Sequence, residues 1–154
     1  MSSKYIQRLR AVRGEYEAAK QGIAYVNKKW DQYDIARDVS GVTPKDFRRV
    51  NEYLFATYLI RLSAEFEGIL KYHLRSNHPG VPIPKDAKVD WLISKVSKQE
   101  DFKAGKNLRE NLEKVRTYRN NFAHSGQLPP ATFTFDSALS WFNTFLDRLP
   151  EPLT

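Results

Sequence analysis

The first helical pattern in the chain limits the fold more than any other feature. From residue 4 to about residue 37, apolar side chains recur at alternating spacings of four and three. They are Tyr5, Leu9, Val12, Tyr16, Ala19, Ile23, Val26, Trp30 and Tyr33. This spacing predicts one long amphipathic helix. Because a coiled-coil seam has the same spacing, the pattern also leaves room for a dimer contact along this helix.

A second helix is predicted to begin at Thr43. Thr43 is a favoured N-cap, Pro44 suits the first helical position, and Asp46 completes a capping box. The run to about Ser76 has a wide apolar face formed by Leu54, Phe55, Tyr58, Leu59, Leu62, Phe66, Ile69, Leu70 and Leu74. That width predicts a central helix packed against several others. His73 lies on the buried side, where we expect a core histidine rather than a second catalytic base.

The second half of the chain alternates loops and helices. Three prolines between residues 79 and 84 predict a loop with His78 in its exposed turn. A short helix is expected over about 87–98, and a longer one ends where Ser125 and Gly126 stop it.

Pro129 and Pro130 predict another loop, and a last helix follows with a cap near Thr134 or Asp136. Its apolar residues are Phe135, Leu139, Phe142, Phe145, Leu146 and Leu149. The prediction is an all-α fold, a bundle of four long helices plus one short helix, in a single domain over residues 1–154.

Composition excludes several classes of protein. The chain has no cysteine, which rules out disulfides and thiolate metal sites. Its 3 histidines lack metal-binding spacing, so we expect neither a metal nor a cofactor. No apolar run approaches the roughly 18 residues of a membrane span, and the N-terminus lacks the apolar core of a signal peptide. We expect a soluble, cytoplasmic protein without a membrane partner.

The charge is basic. The 25 Lys and Arg residues exceed the 18 Asp and Glu residues, which gives a net charge of +7. From Lys85 to Arg119, ten basic residues accompany six acidic ones. Such a gradient can guide a phosphate backbone toward the end of the segment. Net charge alone fits a polyanionic partner and an ordinary solvated surface equally well.

A polar sequence, residues 119–124, interrupts the apolar pattern of the helix that ends at Ser125. Arg119 continues the apolar series Leu108, Leu112, Val115, where a binary pattern would place an apolar residue. At about 100° per residue, the neighbouring face carries Arg116, Arg119, Asn120, Ala123 and His124. A polar residue in an apolar row is often functional. The structural alternatives are a snorkelling arginine and a histidine that caps the last carbonyls.

Arg119, Asn120 and His124, late in an all-helical domain of this size, resemble the HEPN superfamily. Its signature is an Arg, commonly followed by a polar residue, with a His four to six positions further on. The resemblance implies a homodimer in which two motif helices face each other across a cleft. It also implies a metal-independent endoribonuclease that acts on RNA as a toxin or phage-defence effector, with a cognate antitoxin or regulatory protein as a partner.

Two further positions bear on this resemblance. Phe66-Glu67-Gly68 resembles the acidic position that several HEPN families place opposite the motif helix. Glu67 can hold Arg119 by a charge-assisted hydrogen bond, with Glu65 as the competing candidate and a solvated surface glutamate as the alternative. HEPN toxins paired with a nucleotidyltransferase often carry a Tyr two residues after the motif His. Here that residue is Gly126, so regulation through such a tyrosine is not expected.

The residues themselves suggest a chemistry. His124 can take a proton from a ribose 2′-hydroxyl or deliver one to the leaving 5′-oxygen. Arg119 can stabilise the phosphorane-like state, Asn120 can orient the imidazole or the phosphate, and Arg116 can bind an adjacent phosphate. The predicted catalytic residues are Arg119, His124, Asn120 and Glu67, with Arg116 binding RNA and no metal. The rival functions are a non-catalytic helical module that binds RNA, a nucleotide or a protein partner, and a purely structural dimerisation domain.

Overall fold

All regular secondary structure in the described part of the chain is helical. The computed structural model describes residues 3–29, 41 and 43–150, and these contain five helices and no strand. They are α1 (Lys4–Lys29), α2 (Pro44–Asn77), α3 (Val89–Gln99), α4 (Lys106–Ser125) and α5 (Phe135–Leu146). The all-α prediction is confirmed. The end of the first apolar pattern, with Trp30 and Tyr33, lies outside the described residues. No described helix is long and apolar enough to span a membrane.

The last helix is shorter than its apolar pattern suggested. α5 has 12 residues, close to the 11 of α3, so the described bundle has three long and two short helices. Leu149 extends the apolar row and is buried, but it lies in a turn. Its N–H donates to the carbonyl of Leu146 at 3.0 Å, an i to i+3 bond that tightens the chain before Pro150.

α2 is the central helix, as predicted, because it packs against each of the other four. Its start is fixed by the expected capping box. The Thr43 N–H donates to Asp46 Oδ2 at 2.8 Å, and the Asp46 N–H donates to Thr43 Oγ1 at 3.3 Å. The core-facing side chains are fully buried; they include Leu59, Leu62, Phe66, Ile69, Leu70 and Leu74.

Only the first half of α1 belongs to the core. Its buried residues are Tyr5, Ile6, Leu9 and Val12, which pack mainly against α2. Beyond Tyr16 the same helix has no fully buried residue, and Tyr25 is 63% exposed. The first half of α1 is therefore filled from within the chain.

α4 lies against both α2 and α5 and ends sharply. Leu112, Val115 and Tyr118 are its buried residues. Gly126 stops the helix in a left-handed conformation with φ 64°, and its N–H donates to the Phe122 carbonyl at 2.9 Å. Glycine adopts that conformation without steric cost. Because α4 ends at Ser125, residues 119–124 lie in its last two turns.

Candidate functional site

One cleft collects all five site residues predicted from the sequence. It lies between α4, α2 and the N-terminal end of α3, and its volume is about 320 Å³. The lining residues are Glu67, Ala87, Lys88, Val89, Arg116, Arg119, Asn120 and His124. A space of this size matches the lower end of small-ligand sites.

Arg119 is held by Glu67 from the opposite helix. The Arg119 Nη1 group donates to Glu67 Oε1, and the two side chains are only 29% and 17% exposed. The competing candidate, Glu65, instead accepts a hydrogen bond from Arg8 Nε of α1 at 2.5 Å. Residues two positions apart on a helix point in directions that differ by about 200°. Glu65 therefore points toward α1, whereas Glu67 points toward α4.

A small buried residue, Ser63, lies beside this ion pair in the lining of a small cavity. Ser63, one turn before Glu67, is buried, and its hydroxyl donates to the Leu59 carbonyl at 2.8 Å. A cavity of about 20 Å³ remains under Glu67 and Arg119, which is room for about one water molecule.

His124 is exposed, and its imidazole has no hydrogen-bond partner among the described residues. The helix end does not use this ring as a cap. Gly126 satisfies the Phe122 carbonyl, and the Ser125 hydroxyl donates to the Asn121 carbonyl at 2.6 Å. The ring is therefore available to a ligand in the cleft. Asn120, half-buried one turn earlier, likewise makes no side-chain hydrogen bond within the described part.

Arg116 differs from its expected role in one respect, because carboxylates already surround it. Its Nε donates to Glu113 Oε2 at 2.8 Å, and its Nη1 lies 3.3 Å from Asp90 Oδ2. The hydrogen bond from Arg116 lowers the pKa of Glu113, and the same bond raises the pKa of Arg116. A phosphate bound here would have to share the guanidinium with these two acids.

Sequence reasoning missed the contribution of α3. Lys88 is the N-cap of α3 and makes no side-chain capping bond, and both Lys88 and Val89 line the cleft. The positive end of a helix dipole and a lysine therefore face the same space, an arrangement that favours anions. The sequence signal for this contribution is a lysine just before a helix that has no capping side chain, and the basic gradient alone does not reveal it.

The other two histidines lie outside the cleft. His73 is fully buried, with Nδ1 3.1 Å from the Tyr5 hydroxyl and Nε2 2.7 Å from Glu100 Oε1, so the expected core histidine is confirmed. The placement of His78 in an exposed turn is wrong. It is the C-cap of α2 and half-buried, and its Nε2 lies 2.5 Å from Glu100 Oε1. Glu100 is distant in sequence, so local loop signals could not reveal this contact.

The cleft therefore presents an anchored guanidinium, an amide, a lysine and an imidazole that has no partner within the described ranges. Such a set can bind an anionic group and exchange a proton with it. Among the described residues, the only group of three metal-ligating side chains is away from the cleft, at His73, His78 and Glu100. No protein-family model, curated protein or solved structure matches the chain.

Proposed function

We propose that the protein is a metal-independent endoribonuclease of the HEPN type, acting in the cytoplasm on single-stranded or loop RNA. Toxin or phage-defence activity, controlled by an antitoxin or another regulatory protein, is the role that fits this chemistry. The observation that carries the proposal is the cleft itself. Arg119, Asn120, His124 and Glu67 come from two helices and line one space, and the His124 ring has no hydrogen-bond partner among the described residues.

His124 performs the proton transfers in this mechanism. A neutral imidazole takes the proton of the ribose 2′-hydroxyl, and the resulting oxygen attacks the adjacent phosphorus. The bond from phosphorus to the 5′-oxygen then breaks, and an imidazolium returns a proton to that oxygen. The products are a 2′,3′-cyclic phosphate and a 5′-hydroxyl.

Arg119 stabilises the charge that develops on the phosphoryl oxygens. A guanidinium has five N–H donors, and Glu67 takes one at Nη1. The remaining donors are left for a bound phosphate, and Arg119 lines the cleft. Because Glu67 fixes the guanidinium before the substrate arrives, little reorganisation is needed in the transition state.

The active unit in this proposal is a symmetric homodimer. One chain offers a single motif histidine, whereas transesterification benefits from a base and an acid on opposite sides of the phosphate. A second chain supplies the second His124 across the cleft. The half of α1 beyond Tyr16, where Tyr25 is exposed, offers apolar surface for the contact.

Cleavage of total RNA in EDTA tests the proposal. Wild-type protein should degrade the RNA. The cleavage rate of Arg119→Ala and of His124→Ala should each be lower by on the order of a hundredfold or more, as for a lost transition-state donor or general acid/base. Arg109→Ala is the matched control, since Arg109 is an exposed residue of α4 outside the cleft. It should cleave as the wild type does.

Three results would contradict the mechanism. They are strict dependence on added magnesium, full activity of His124→Ala, and cleavage by a protein that stays monomeric at the working concentration. Mixing Arg119→Ala with His124→Ala chains tests the shared site, because a composite cleft should restore part of the activity. RNA that is retained but never cleaved would favour the non-catalytic binding module.

A further inference from the structure

A second cluster of titratable side chains lies where the C-terminal ends of α2 and α3 meet. His78 and Glu100 are the C-cap residues of these helices, and His73 lies in the last turns of α2. Glu100 Oε1 is 2.7 Å from His73 Nε2 and 2.5 Å from His78 Nε2. One ligand atom from each of the three residues lies within 4.8 Å of the others. Two imidazole nitrogens and a carboxylate oxygen thus converge.

We propose that His73, His78 and Glu100 form a binding site for one transition-metal ion, of which Zn²⁺ is the best match. Two imidazoles and a carboxylate are a donor set that zinc accepts when water completes its tetrahedron. With metal–ligand bonds of about 2.0–2.1 Å, neighbouring ligand atoms in a tetrahedron are about 3.3 Å apart. The two separations from Glu100 Oε1, 2.7 Å to His73 Nε2 and 2.5 Å to His78 Nε2, are shorter than that spacing, and all three ligand atoms lie within 4.8 Å of one another. Small side-chain movements are enough to admit the ion.

The surroundings of His73 fit a metal ligand. Metal-binding histidines usually donate their second ring N–H to an oxygen that fixes the ring orientation. The Tyr5 hydroxyl, 3.1 Å from His73 Nδ1, is such an oxygen. When Nε2 binds the metal, the ring proton resides on Nδ1 and is donated to Tyr5. Without a metal, a tautomer that donates from Nε2–H to Glu100 would accept at Nδ1 from the Tyr5 hydroxyl.

Glu100 is suited to be the anionic ligand. Its Oε1 atom already faces both imidazoles, at 2.7 Å from His73 Nε2 and 2.5 Å from His78 Nε2. The side chains of His78 and Glu100 are 23% and 14% exposed, which gives an ion access from solvent.

The position of the site separates it from the cleft. It lies at the C-terminal end of α3, whereas the cleft lies at the N-terminal end of the same helix. An ion there would join α2 to α3, with α1 attached through Tyr5. The proposal does not rest on the ribonuclease activity, because its ligands take no part in the cleft chemistry.

Isothermal titration of the untagged, chelator-stripped protein with zinc chloride tests the site. Wild type should bind one Zn²⁺ per chain, and bound Co²⁺ should give the visible absorption of a tetrahedral site. His78→Gln and Glu100→Gln keep the side-chain size and should weaken binding at least about tenfold, since even a lost supporting hydrogen bond costs that much. Both are partly exposed positions, and circular dichroism verifies that each variant folds.

His124→Gln is the matched control, because it removes the cleft histidine by the same type of substitution. It should bind zinc as the wild type does. The proposal is overturned if wild type shows no saturable binding, or if His78→Gln and Glu100→Gln bind with unchanged affinity. A loss in His124→Gln equal to that in His78→Gln would also overturn it, by showing adventitious binding to any histidine.

Discussion

Replacing Glu67 by Gln should destabilise the fold and impair the cleft together. The substitution keeps the shape of the side chain but removes the charge that Arg119 binds. A hydrogen bond to a charged group contributes about 1.5–3 kcal/mol net, and an exposed ion pair about 0–1 kcal/mol. At 17% and 29% exposure the pair lies between these limits. We expect the free energy of unfolding to fall by about 1–2 kcal/mol.

Urea denaturation measures this change, with Glu65→Gln as the control on the same helix. Glu65 pairs with Arg8, whose side chain is 42% exposed, so its loss should cost only about 0.5 kcal/mol or less. Under conditions where both variants are folded, RNA cleavage should fall in Glu67→Gln and persist in Glu65→Gln. Equal losses of stability in the two variants would refute the assignment of Glu67 as the anchor of Arg119.

Two further predictions use surface positions. Gly126→Ala should destabilise the protein by about 1–2 kcal/mol in the same assay, because alanine is strained at φ 64°. No atom would obstruct the added Cβ, so the backbone strain is the whole effect. An unchanged urea midpoint would contradict this. Lys88→Glu should weaken RNA binding and lower the salt slope by about 1, measured by filter binding at several salt concentrations. Lys103 is an exposed lysine away from the cleft, so Lys103→Glu should weaken RNA binding less. Equal losses of RNA binding in the two variants would show that only net charge matters.

Features set by neighbouring residues could be predicted from the sequence. The Thr43 capping box and the Gly126 stop depend on residues within one turn, and the apolar face of α2 depends on helical periodicity alone. The grouping of Arg119, Asn120 and His124 follows from their spacing on a single helix.

Features set by how helices are rotated against each other could not be predicted. Glu65 and Glu67 were both candidates, and only the packing of α2 between α1 and α4 directs them to different arginines. The contact of Arg116 with Asp90 and that of His78 with Glu100 join residues far apart in sequence. These contacts need the relative position of α3, which no local pattern contains.

Cleavage of an RNA oligonucleotide with a single 2′-deoxyribose at the cleaved position tests the central claim most directly. The account predicts that wild-type protein cuts the all-ribose strand to 2′,3′-cyclic phosphate and 5′-hydroxyl ends. It also predicts that cleavage at the deoxy position falls on the order of a hundredfold or more, since His124 then has no 2′-hydroxyl to activate. Continued cleavage at the deoxy position, or products with 3′-hydroxyl and 5′-phosphate ends, would contradict it.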